Sequence, residues 1–564
     1  MKKINYYMKN KCVLFIVIFV SLFTASNAQY YKNTYKPIGN LNKPEREEWL
    51  KDAGFGMFIH FMFDSQLGIV ISHSMVGASD DYVDRFINEL PKTFNPNKFE
   101  PQELAKLAKL AGMKYVVFGT KHHSGFCLWD TKTTNFNIMN TEYGKDLLQD
   151  YVKAIREMGL AVGFYFSPED FNFLYENNQT VRRVGGKPLP KDVLEKYFEL
   201  TRQQCTELMT NYGKIDVMFF DGGDGGVMEV AKETCWNIQP DLLITRGAIS
   251  TPEQKLPGVA FNDAWETCIT MGTQWQYKPT NEIYKDGTRL IEILIETRAK
   301  GGSLLLNIGP KPNGEIPIEQ EEILREIAAW RFINQDAIYN TRPWIITNED
   351  NIWFTKDKRN NTVYAFITKI PDWTRGERKE FVLKSLKATD KTKVFVLGQS
   401  DEVVEYKADV DATTRYEQKE DGLYISCVRA QRIYNNHEWP NPIVLKITNV
   451  EPTLVPPAVQ TMGAELLKDK VILKGKLLNM GDADKLKVGF MFRPHTGLMN
   501  LYEDTWEGTQ LIDISETGEF EIELKNLGNH DRYWYRARVV HPKIEIYGDN
   551  ERFNLNNRPN DGIF

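Results

Sequence analysis

The stretch KIDVMFFDGG, residues 214–223, decides the fold of this 564-residue chain. Four apolar residues, Val217 to Phe220, are followed directly by Asp221 and two glycines. A short, continuously apolar run is typical of a parallel strand that is buried on both faces. An acid directly after such a strand carries a free-energy cost of desolvation. That cost is explained if the acid is paired or takes part in chemistry. A helix-capping role is the simpler interpretation of Asp221 taken alone.

Further apolar runs of the same kind surround this stretch. They cover residues 56–63, 114–120, 161–167, 242–246, 259–263 and 303–309. Amphipathic helical patterns, for example at residues 101–111, separate the runs, and a glycine closely follows several of them. Repetition of strand and helix over about 300 residues favours a (β/α)8-like barrel. A doubly wound sheet is the weaker alternative, because no glycine-rich nucleotide loop follows the first strand.

The pattern changes near Trp344, where short alternating strands replace the strand–helix units. Residues 351–369 alternate around a polar turn, which predicts a β-hairpin. The proline-rich residues 451–457 predict a stiff linker. We therefore expect a barrel at residues 29–345, a β-sandwich at 346–450 and a third, immunoglobulin-like all-β domain at 451–564. The third domain binds carbohydrate or acts as a spacer, and the spacer is the preferred interpretation.

Residues 1–28 have the pattern of a signal peptide. Lysines precede the apolar residues 13–23, and the small-residue site Ser26-Asn27-Ala28 follows. The apolar run is short for a membrane span, which needs roughly 20 residues. We therefore expect export to a periplasm or the cell exterior. The net charge of −6 argues against a nucleic-acid partner, and five scattered cysteines beyond the leader are no disulfide framework.

Polar residues stand at the ends of the predicted strands, where a barrel builds its active site. They are His60, His122, His123, Asp221, Arg246, Glu266 and Asn307. Asp221 and Glu266 on different strands form the kind of carboxylate pair that hydrolyses glycosides. Glu266 adjoins the indole of Trp265, and apolar surroundings raise a carboxyl pKa as a general acid requires. For Arg246, a role in the site is preferred over a structural ion pair.

The histidines and aspartates also admit a metal-site interpretation. His60, His122 and His123 are candidate zinc ligands, but neither HxxxH nor CxxC spacing accompanies them. Asp221 and Asp224 resemble part of a cation loop without the further spaced acids of a calcium hand. We therefore expect no metal and no cofactor, and we assign the imidazoles to hydrogen bonds with sugar hydroxyls.

Five stretches together point to a known family. They are GMFIH at residues 56–60, KYVVFGTKHHSGFCLWDTK at 114–132, DVMFFDGG at 216–223, WETC at 265–268 and GGSLLLNIGPKPNGEIP at 301–317. On these motifs, which occur in family order, the chain resembles the α-L-fucosidases of glycoside hydrolase family 29. The resemblance implies a barrel followed by a β-sandwich. It also implies exo-acting, retaining hydrolysis of terminal α-L-fucosyl residues of oligosaccharides or polysaccharides.

The resemblance also implies roles for individual residues. Asp221 matches the nucleophile, and Glu266 in WETC resembles the general acid/base, whose placement varies between family branches. The substrate-binding residues it implies are His60, His122, His123 and Arg246, with Trp265 and Trp275 as pocket walls. No cofactor is implied.

Some positions depart from the family pattern. Phe61 and Met62 replace a Trp-Gly pair, Ser124 replaces an acid, and the unusual residues 64–81 carry His73. A polar partner at C6 would favour L-galactose over L-fucose, which is its 6-deoxy form. An α-L-galactosidase is therefore the alternative prediction. A non-catalytic carbohydrate-binding protein is a remote one, because both candidate carboxylates are present.

Overall fold

The computed structural model describes nine parts of the chain: residues 35–183, 188–223, 226–370, 373–433, 440–467, 470–495, 505–525, 527 and 530–555. The predicted signal peptide and Asp224 lie outside these ranges. Within them, no helix has the length and apolar character needed to cross a membrane. The five described cysteines are buried free thiols.

The predicted strand–helix repeat forms one curled parallel sheet. Its strands are β1 (Phe55–Ile59), β2 (Tyr115–Lys121), β3 (Ala161–Phe166), β4 (Val217–Phe220), β5 (Leu243–Ile244), β6 (Glu266–Thr270) and β7 (Ser303–Ile308). They lie side by side in the order β5-β4-β3-β2-β1-β7-β6. Nearly every residue of these strands is buried, which explains their continuous apolar runs. The predicted barrel-like fold is therefore confirmed.

Helices pack around this sheet and connect its strands. They are α1 (Pro44–Ala53), α2 (Asp80–Asn88), α3 (Pro101–Ala111), α4 (Leu147–Glu157), α5 (Phe171–Glu176), α6 (Lys191–Thr210), α7 (Val227–Ile238), α8 (Gly287–Ala299) and α9 (Ile318–Asn334). Gly112 ends α3 with a φ of 91°, and its N–H donates to carbonyls of the last helical turn. The Asp146 side chain caps the first turn of α4. These two signals end α3 and begin α4 at the points where the chain turns back toward the sheet.

A non-strand segment closes the barrel between β5 and β6. Residues 250–254 run beside β6 and form two isolated parallel bridges there, Ser250 with Trp265, which precedes β6, and Glu253 with Cys268 of β6. The strand predicted at residues 259–263 is wrong. That segment lies near the start of β7, where the Phe261 N–H donates to the Lys300 carbonyl, and β6 begins only afterwards.

The remaining strands are antiparallel, as predicted for an all-β region. The sandwich contains β8 (Thr341–Glu349), β9 (Ile352–Asp357), β10 (Val363–Ile367), β11 (Arg378–Leu383), β12 (Leu386–Val396), β13 (Arg415–Gln418), β14 (Leu423–Val428) and β15 (Ile443–Pro452). Its two sheets have the orders β12-β15-β10-β9-β8 and β11-β14-β13. Strands β8 and β15 run across residues 345 and 450, where the sequence predicts domain boundaries.

The third domain has a separate core that includes Leu473, Phe490 and Tyr535. Its strands are β16 (Ala458–Leu467), β17 (Lys470–Asn479), β18 (Leu486–Pro494), β19 (Glu507–Gly508), β20 (Ile512–Ile514), β21 (Gly518–Leu524), β22 (Arg532–Val540), β23 (Glu545–Tyr547) and β24 (Glu551–Asn554). One sheet is β16-β17-β21, and the other is built around β18 and β22.

The third domain contacts the barrel at the loop that follows residue 254. The Gly258 N–H donates to Asp549 Oδ1 at 2.6 Å. A side chain at Gly258 would place its Cβ 2.7 Å from the carbonyl oxygen of Gly548, so only glycine permits this approach. The third domain therefore supports one of the loops that form the barrel wall.

Candidate active site

Asp221 stands at the carboxyl end of β4, as the sequence predicts. Its Oδ1 accepts a hydrogen bond from Arg246 Nη1 at 3.1 Å, and its Oδ2 accepts one from the Tyr165 hydroxyl at 3.1 Å. Burial alone would raise the pKa of Asp221, but the guanidinium groups of Arg246 and Arg183 outweigh it and lower that pKa to about 2. Asp221 is therefore an ionised, oriented carboxylate at neutral pH.

Arg246 joins Asp221 to a second carboxylate that the sequence did not single out. The same Nη1 that contacts Asp221 donates to Glu253 Oε2 at 2.8 Å. The two accepting oxygens are therefore at most about 6 Å apart, which accommodates the 5–5.5 Å carboxyl separation of retaining glycosidases. The site is built around this pair.

Glu253 has the properties of a general acid. Burial raises its pKa, Arg246 opposes that shift, and the negative charge of Asp221 adds to it, with a net rise. The side chains of Asp221 and Glu253 remain 21% and 16% exposed, so both are accessible to a bound ligand. The environment therefore moves the two carboxyl pKa values in opposite directions, which is the pattern of a nucleophile and its acid partner.

His60 and Trp275 lie together beside this pair. Asn307 Nδ2 donates to the Trp275 carbonyl at 2.7 Å, so its Oδ1 faces His60 Nδ1 at 2.6 Å. An amide oxygen accepts, so His60 carries its proton on Nδ1 and leaves Nε2 as an acceptor. Burial lowers the pKa of His60 to about 4, which keeps the ring neutral. The Trp275 and His60 rings are 4.9 Å apart.

His122 is oriented by a relay from the segment after β1. Its Nδ1 lies 2.9 Å from Ser72 Oγ, and its ring stacks on Tyr165 with an interplanar angle of 7°. The Ser72 N–H donates to Asp64 Oδ2 at 2.7 Å and thereby fixes this serine, whose φ is 59°. The fully buried Asp64 therefore acts on His122 through Ser72.

His123 points its second nitrogen at Asp221. Its Nδ1 lies 2.6 Å from Ser167 Oγ and 3.4 Å from Glu169 Oε2, and its Nε2 is 3.6 Å from Asp221 Oδ2. That Nε2 makes no hydrogen bond within the described ranges. Burial lowers the pKa values of His122 and His123 well below the usual range, so both rings are neutral. Neutral imidazoles suit exchange of hydrogen bonds with sugar hydroxyls.

His122, His123 and Asp221 also form the cluster in which a metal ion is geometrically conceivable. One ligand atom from each lies within 4.8 Å of the others. The Arg246 guanidinium already neutralises Asp221 at 3.1 Å, and a cation beside it would experience repulsion. This charge arrangement favours a neutral sugar over a cation.

Two predicted site residues, Glu266 and Trp265, lie away from the carboxyl edge of the sheet. The expectation that Glu266 follows a strand is wrong. Glu266 opens β6, so roughly 13 Å of strand separates it from the carboxyl edge. It is completely buried and accepts a hydrogen bond from the Tyr115 hydroxyl. Trp265 is also buried, with its indole N–H bonded to the Lys300 carbonyl. The geometry argues against an acid/base role for Glu266 and against Trp265 as a pocket wall.

Most departures from the family pattern face the core. Phe61 packs against Phe94 and Phe99, and Met62 and Ser124 are buried. His73 differs, because its ring centroid lies 5.6 Å from that of His123. Of these departures, the segment 64–81 reaches the site, through Ser72 at His122 and through His73 beside His123.

Sequence reasoning missed four side chains around Asp221: Tyr165, Glu169, Arg183 and Glu253. Arg183 Nε donates to Glu169 Oε2 at 2.9 Å, so these two form a pair next to His123. Glu253 had one available signal, since it is an acid seven residues after Arg246 in the loop that leaves the predicted fifth strand. Tyr165 lies inside an apolar run, where nothing marks its hydroxyl as functional.

Comparisons with known proteins point to one family. A family model described as alpha-L-fucosidase matches residues 20–336, which is more than half of the chain. The alpha-L-fucosidase of Dictyostelium discoideum is 28% identical over 408 residues, covering 65% of this chain and 86% of that protein. The plasma alpha-L-fucosidase of Homo sapiens is 28% identical over 386 residues, covering 59% of this chain and 78% of that protein.

Solved structures give the same result. Alpha-L-fucosidase isoenzyme 1 from Paenibacillus thiaminolyticus superposes with a TM-score of 0.59 at 28% identity, over 72% of this chain and 99% of that one. An alpha-L-fucosidase from Bacteroides thetaiotaomicron, 22% identical with a TM-score of 0.57, shares the fold. The chain belongs to the α-L-fucosidase family of glycoside hydrolases, family 29.

Proposed function

We propose that this enzyme is an exo-acting retaining α-L-fucosidase with Asp221 as nucleophile and Glu253 as general acid/base. The observation that carries the proposal is the shared Arg246 Nη1, which holds both carboxylates at a separation suited to a double displacement. The deep burial of His60, His122 and His123 supports exo action, because a pocket of this kind admits a chain end. The substrate is a glycan with a terminal α-L-fucosyl residue.

In the first step, the Asp221 carboxylate attacks the anomeric carbon and forms a glycosyl ester. The carboxyl proton of Glu253 passes to the glycosidic oxygen as its bond to the anomeric carbon breaks, and the aglycone leaves. Arg246 stays bonded to Asp221 while that carboxylate loses its negative charge. The Tyr165 hydroxyl keeps the attacking group oriented.

In the second step, Glu253 acts as a base. Its carboxylate takes a proton from water, the water oxygen attacks the anomeric carbon, and the bond to Asp221 breaks. Two inversions leave fucose with its original anomeric configuration. His60 Nε2 accepts a hydrogen bond from one sugar hydroxyl, and His123 Nε2 pairs with another, in both steps.

A panel of alanine variants tests the carboxylate assignments. On an aryl α-L-fucoside with a good leaving group, Asp221→Ala should lose activity by at least about 10³-fold. Glu253→Ala should retain its first step and accumulate the glycosyl-enzyme. Added azide should then give α-L-fucosyl azide with Glu253→Ala and β-L-fucosyl azide with Asp221→Ala, distinguishable by NMR.

Glu169→Ala and Glu266→Ala are the matched controls for this panel. Glu169 is the competing acid because it lies beside His123, and Glu266 is the acid/base that the sequence indicates. If azide yields the α-azide with Glu169→Ala or Glu266→Ala and not with Glu253→Ala, the assignment of Glu253 is wrong. An inverted sugar as the first product of the wild type would refute the retaining mechanism.

The alternative, α-L-galactosidase activity, is favoured by one observation, the imidazole of His73 beside His122 and His123. A hydroxyl at C6 within reach of that ring would gain a hydrogen-bond partner. Aryl α-L-fucoside and aryl α-L-galactoside compared with wild type and His73→Phe test it. A preference for the galactoside that His73→Phe reverses would support this second candidate, and a fucoside preference above about 100-fold would rule it out.

Export belongs to the proposal as well. The leader pattern at residues 1–28 supports it. The N-terminal sequence of the protein recovered from periplasm or medium tests it. A mature chain that begins at Gln29 is expected, and retention of residues 1–28 on a cytoplasmic protein would contradict it.

A further inference from the structure

A cleft of about 1430 Å³ lies where the barrel, the sandwich and the third domain meet. The barrel contributes residues 250–252 and 254–261 together with Lys300, the sandwich contributes β8, and the third domain contributes β22 and β23. Its volume exceeds the 300–1,000 Å³ typical of a small-ligand pocket. The cleft is separate from the space between Asp221 and Glu253, because those two side chains do not line it.

An arginine of β22 stands between two aromatic rings in this cleft. The Arg536 guanidinium lies 4.3 Å from the centroid of Trp506 and 3.9 Å from that of Tyr547. Arg493 of the neighbouring strand approaches the same indole at 4.7 Å. Stacking of this kind fixes the plane of a guanidinium and leaves its N–H edge for an anion with two accepting oxygens.

Within the described ranges, Arg536 forms no ion pair, and its buried Nε makes no hydrogen bond. The acid that acts on it most strongly, Glu296, is bonded to Lys300 at 2.5 Å. Two neighbouring acids are occupied as well, Glu545 by Arg538 and Asp549 by the Gly258 N–H. A buried guanidinium without a carboxylate is costly unless a ligand supplies the negative charge.

We propose that this cleft is a second carbohydrate site, which binds an anionic saccharide unit through Arg536. A sulfate or carboxylate group of the sugar accepts two parallel hydrogen bonds from the guanidinium, because either group presents two oxygens at the spacing of the guanidinium N–H groups. Trp506, Trp534 and Tyr547 line the same cleft and border the position of the sugar ring. The choice of a saccharide as the carrier rests on the proposed function, because a glycan-degrading enzyme meets such anions on its own substrate.

Calorimetric titration of the full-length enzyme tests this site. The probes are sulfated dextran oligosaccharides, oligogalacturonate and unmodified dextran oligosaccharides. Wild type is expected to bind at least one charged probe and not the neutral one, and Arg536→Met is expected to weaken that binding at least tenfold. The charged probe that binds more tightly identifies the anion as sulfate ester or carboxylate.

Arg359→Met is the matched control, since it removes the same charge from an exposed turn of the sandwich outside the cleft. Equal binding by Arg536→Met and Arg359→Met, or no binding of either charged probe by wild type, overturns the proposal. Trp506→Ala provides a second variant should Arg536→Met not fold, and it is expected to weaken binding as well. Aryl fucoside hydrolysis, measured in parallel, should be unchanged in Arg536→Met. If the wild type does not hydrolyse the fucoside, the proposed function is refuted and the binding result stands.

Discussion

Asp221 Oδ1 and Glu253 Oε2 accept hydrogen bonds from one nitrogen, Arg246 Nη1, at 3.1 and 2.8 Å. The same cation therefore acts on both carboxylates, yet their pKa values move apart. Asp221 gains further stabilisation from Arg183 and from the Tyr165 hydroxyl, which hold its pKa at about 2. For Glu253, burial and the charge of Asp221 outweigh Arg246 and raise the pKa.

The first prediction concerns the alkaline limb of the pH–rate profile. Glu253 must be protonated to deliver its proton, so kcat/KM of the wild type should fall as pH rises through the raised pKa of Glu253. Glu253→Gln cannot ionise and should lack this limb, with a much lower plateau. Profiles on an aryl fucoside between pH 4 and pH 9 check this. An alkaline limb that persists in Glu253→Gln would show that another group supplies the proton.

The second prediction concerns Arg246. Arg246→Met removes the main cation that lowers the pKa of Asp221, so that pKa should rise and the acidic limb should move to higher pH. We expect kcat/KM to fall by about 10²–10³-fold, the effect of removing one preorganised charge from a site. Arg359→Met, on the surface of the sandwich, serves as the control. An unshifted acidic limb in Arg246→Met would contradict the role given to Arg246.

The third prediction separates positioning from folding at Ser72. With a φ of 59°, this residue occupies a conformation that glycine adopts without strain. Ser72→Gly keeps the backbone N–H that Asp64 accepts and removes the hydroxyl that contacts His122. We expect kcat/KM to fall about tenfold because His122 loses its orientation.

The melting temperature of Ser72→Gly provides the second readout for that prediction. It should stay within a few degrees of the wild type, because relief of the backbone strain offsets the extra freedom of glycine in the unfolded chain. Full activity in Ser72→Gly would show that the hydroxyl does not position His122. A large loss of melting temperature would point to a structural role instead.

The fourth prediction concerns Glu266, whose pKa burial raises to about 7. A raised folded-state pKa means that the neutral form stabilises the fold fully below about pH 4.5 and that this contribution is lost as pH rises toward 7. Glu266→Gln does not ionise, so any deficit in its melting temperature relative to wild type should shrink between pH 5 and pH 7. Its kcat/KM should stay within about threefold of wild type, since the residue lies away from the site.

A pH-independent difference in melting temperature would contradict the buried, neutral state of Glu266. Loss of activity beyond about 100-fold, with an intact fold, would instead restore the acid/base role that the sequence indicates for this residue.

The sequence predicts the barrel, the all-β region and Asp221 because these depend on local patterns. A fully buried parallel strand must be apolar along its length, and the side chain after Phe220 is then placed at the barrel mouth. The wrong position predicted for Glu266 relative to its strand has a different cause. A run of apolar residues does not reveal where a strand begins, so an acid at the start of β6 and one at its end have similar sequence surroundings.

Glu253 shows a second limit of sequence patterns. It lies in the polar stretch STPEQK, which has neither helical nor strand periodicity. Glu253 is identified by its contact with Arg246, whose guanidinium bonds to it where the segment 250–254 closes the barrel. Tertiary contact and burial, not composition, distinguish this glutamate from an ordinary loop acid.

The segment that closes the barrel has a consequence for divergence among relatives. Residues 250–254 are joined to β6 and the residue before it by two isolated bridges and not by a continuous ladder. An insertion or deletion there would leave the seven-stranded sheet intact and would shift the acid that the segment carries. The proposed proton donor can therefore change its position in the chain between relatives, while Asp221, fixed to the end of a buried strand, cannot move without a change in the sheet itself.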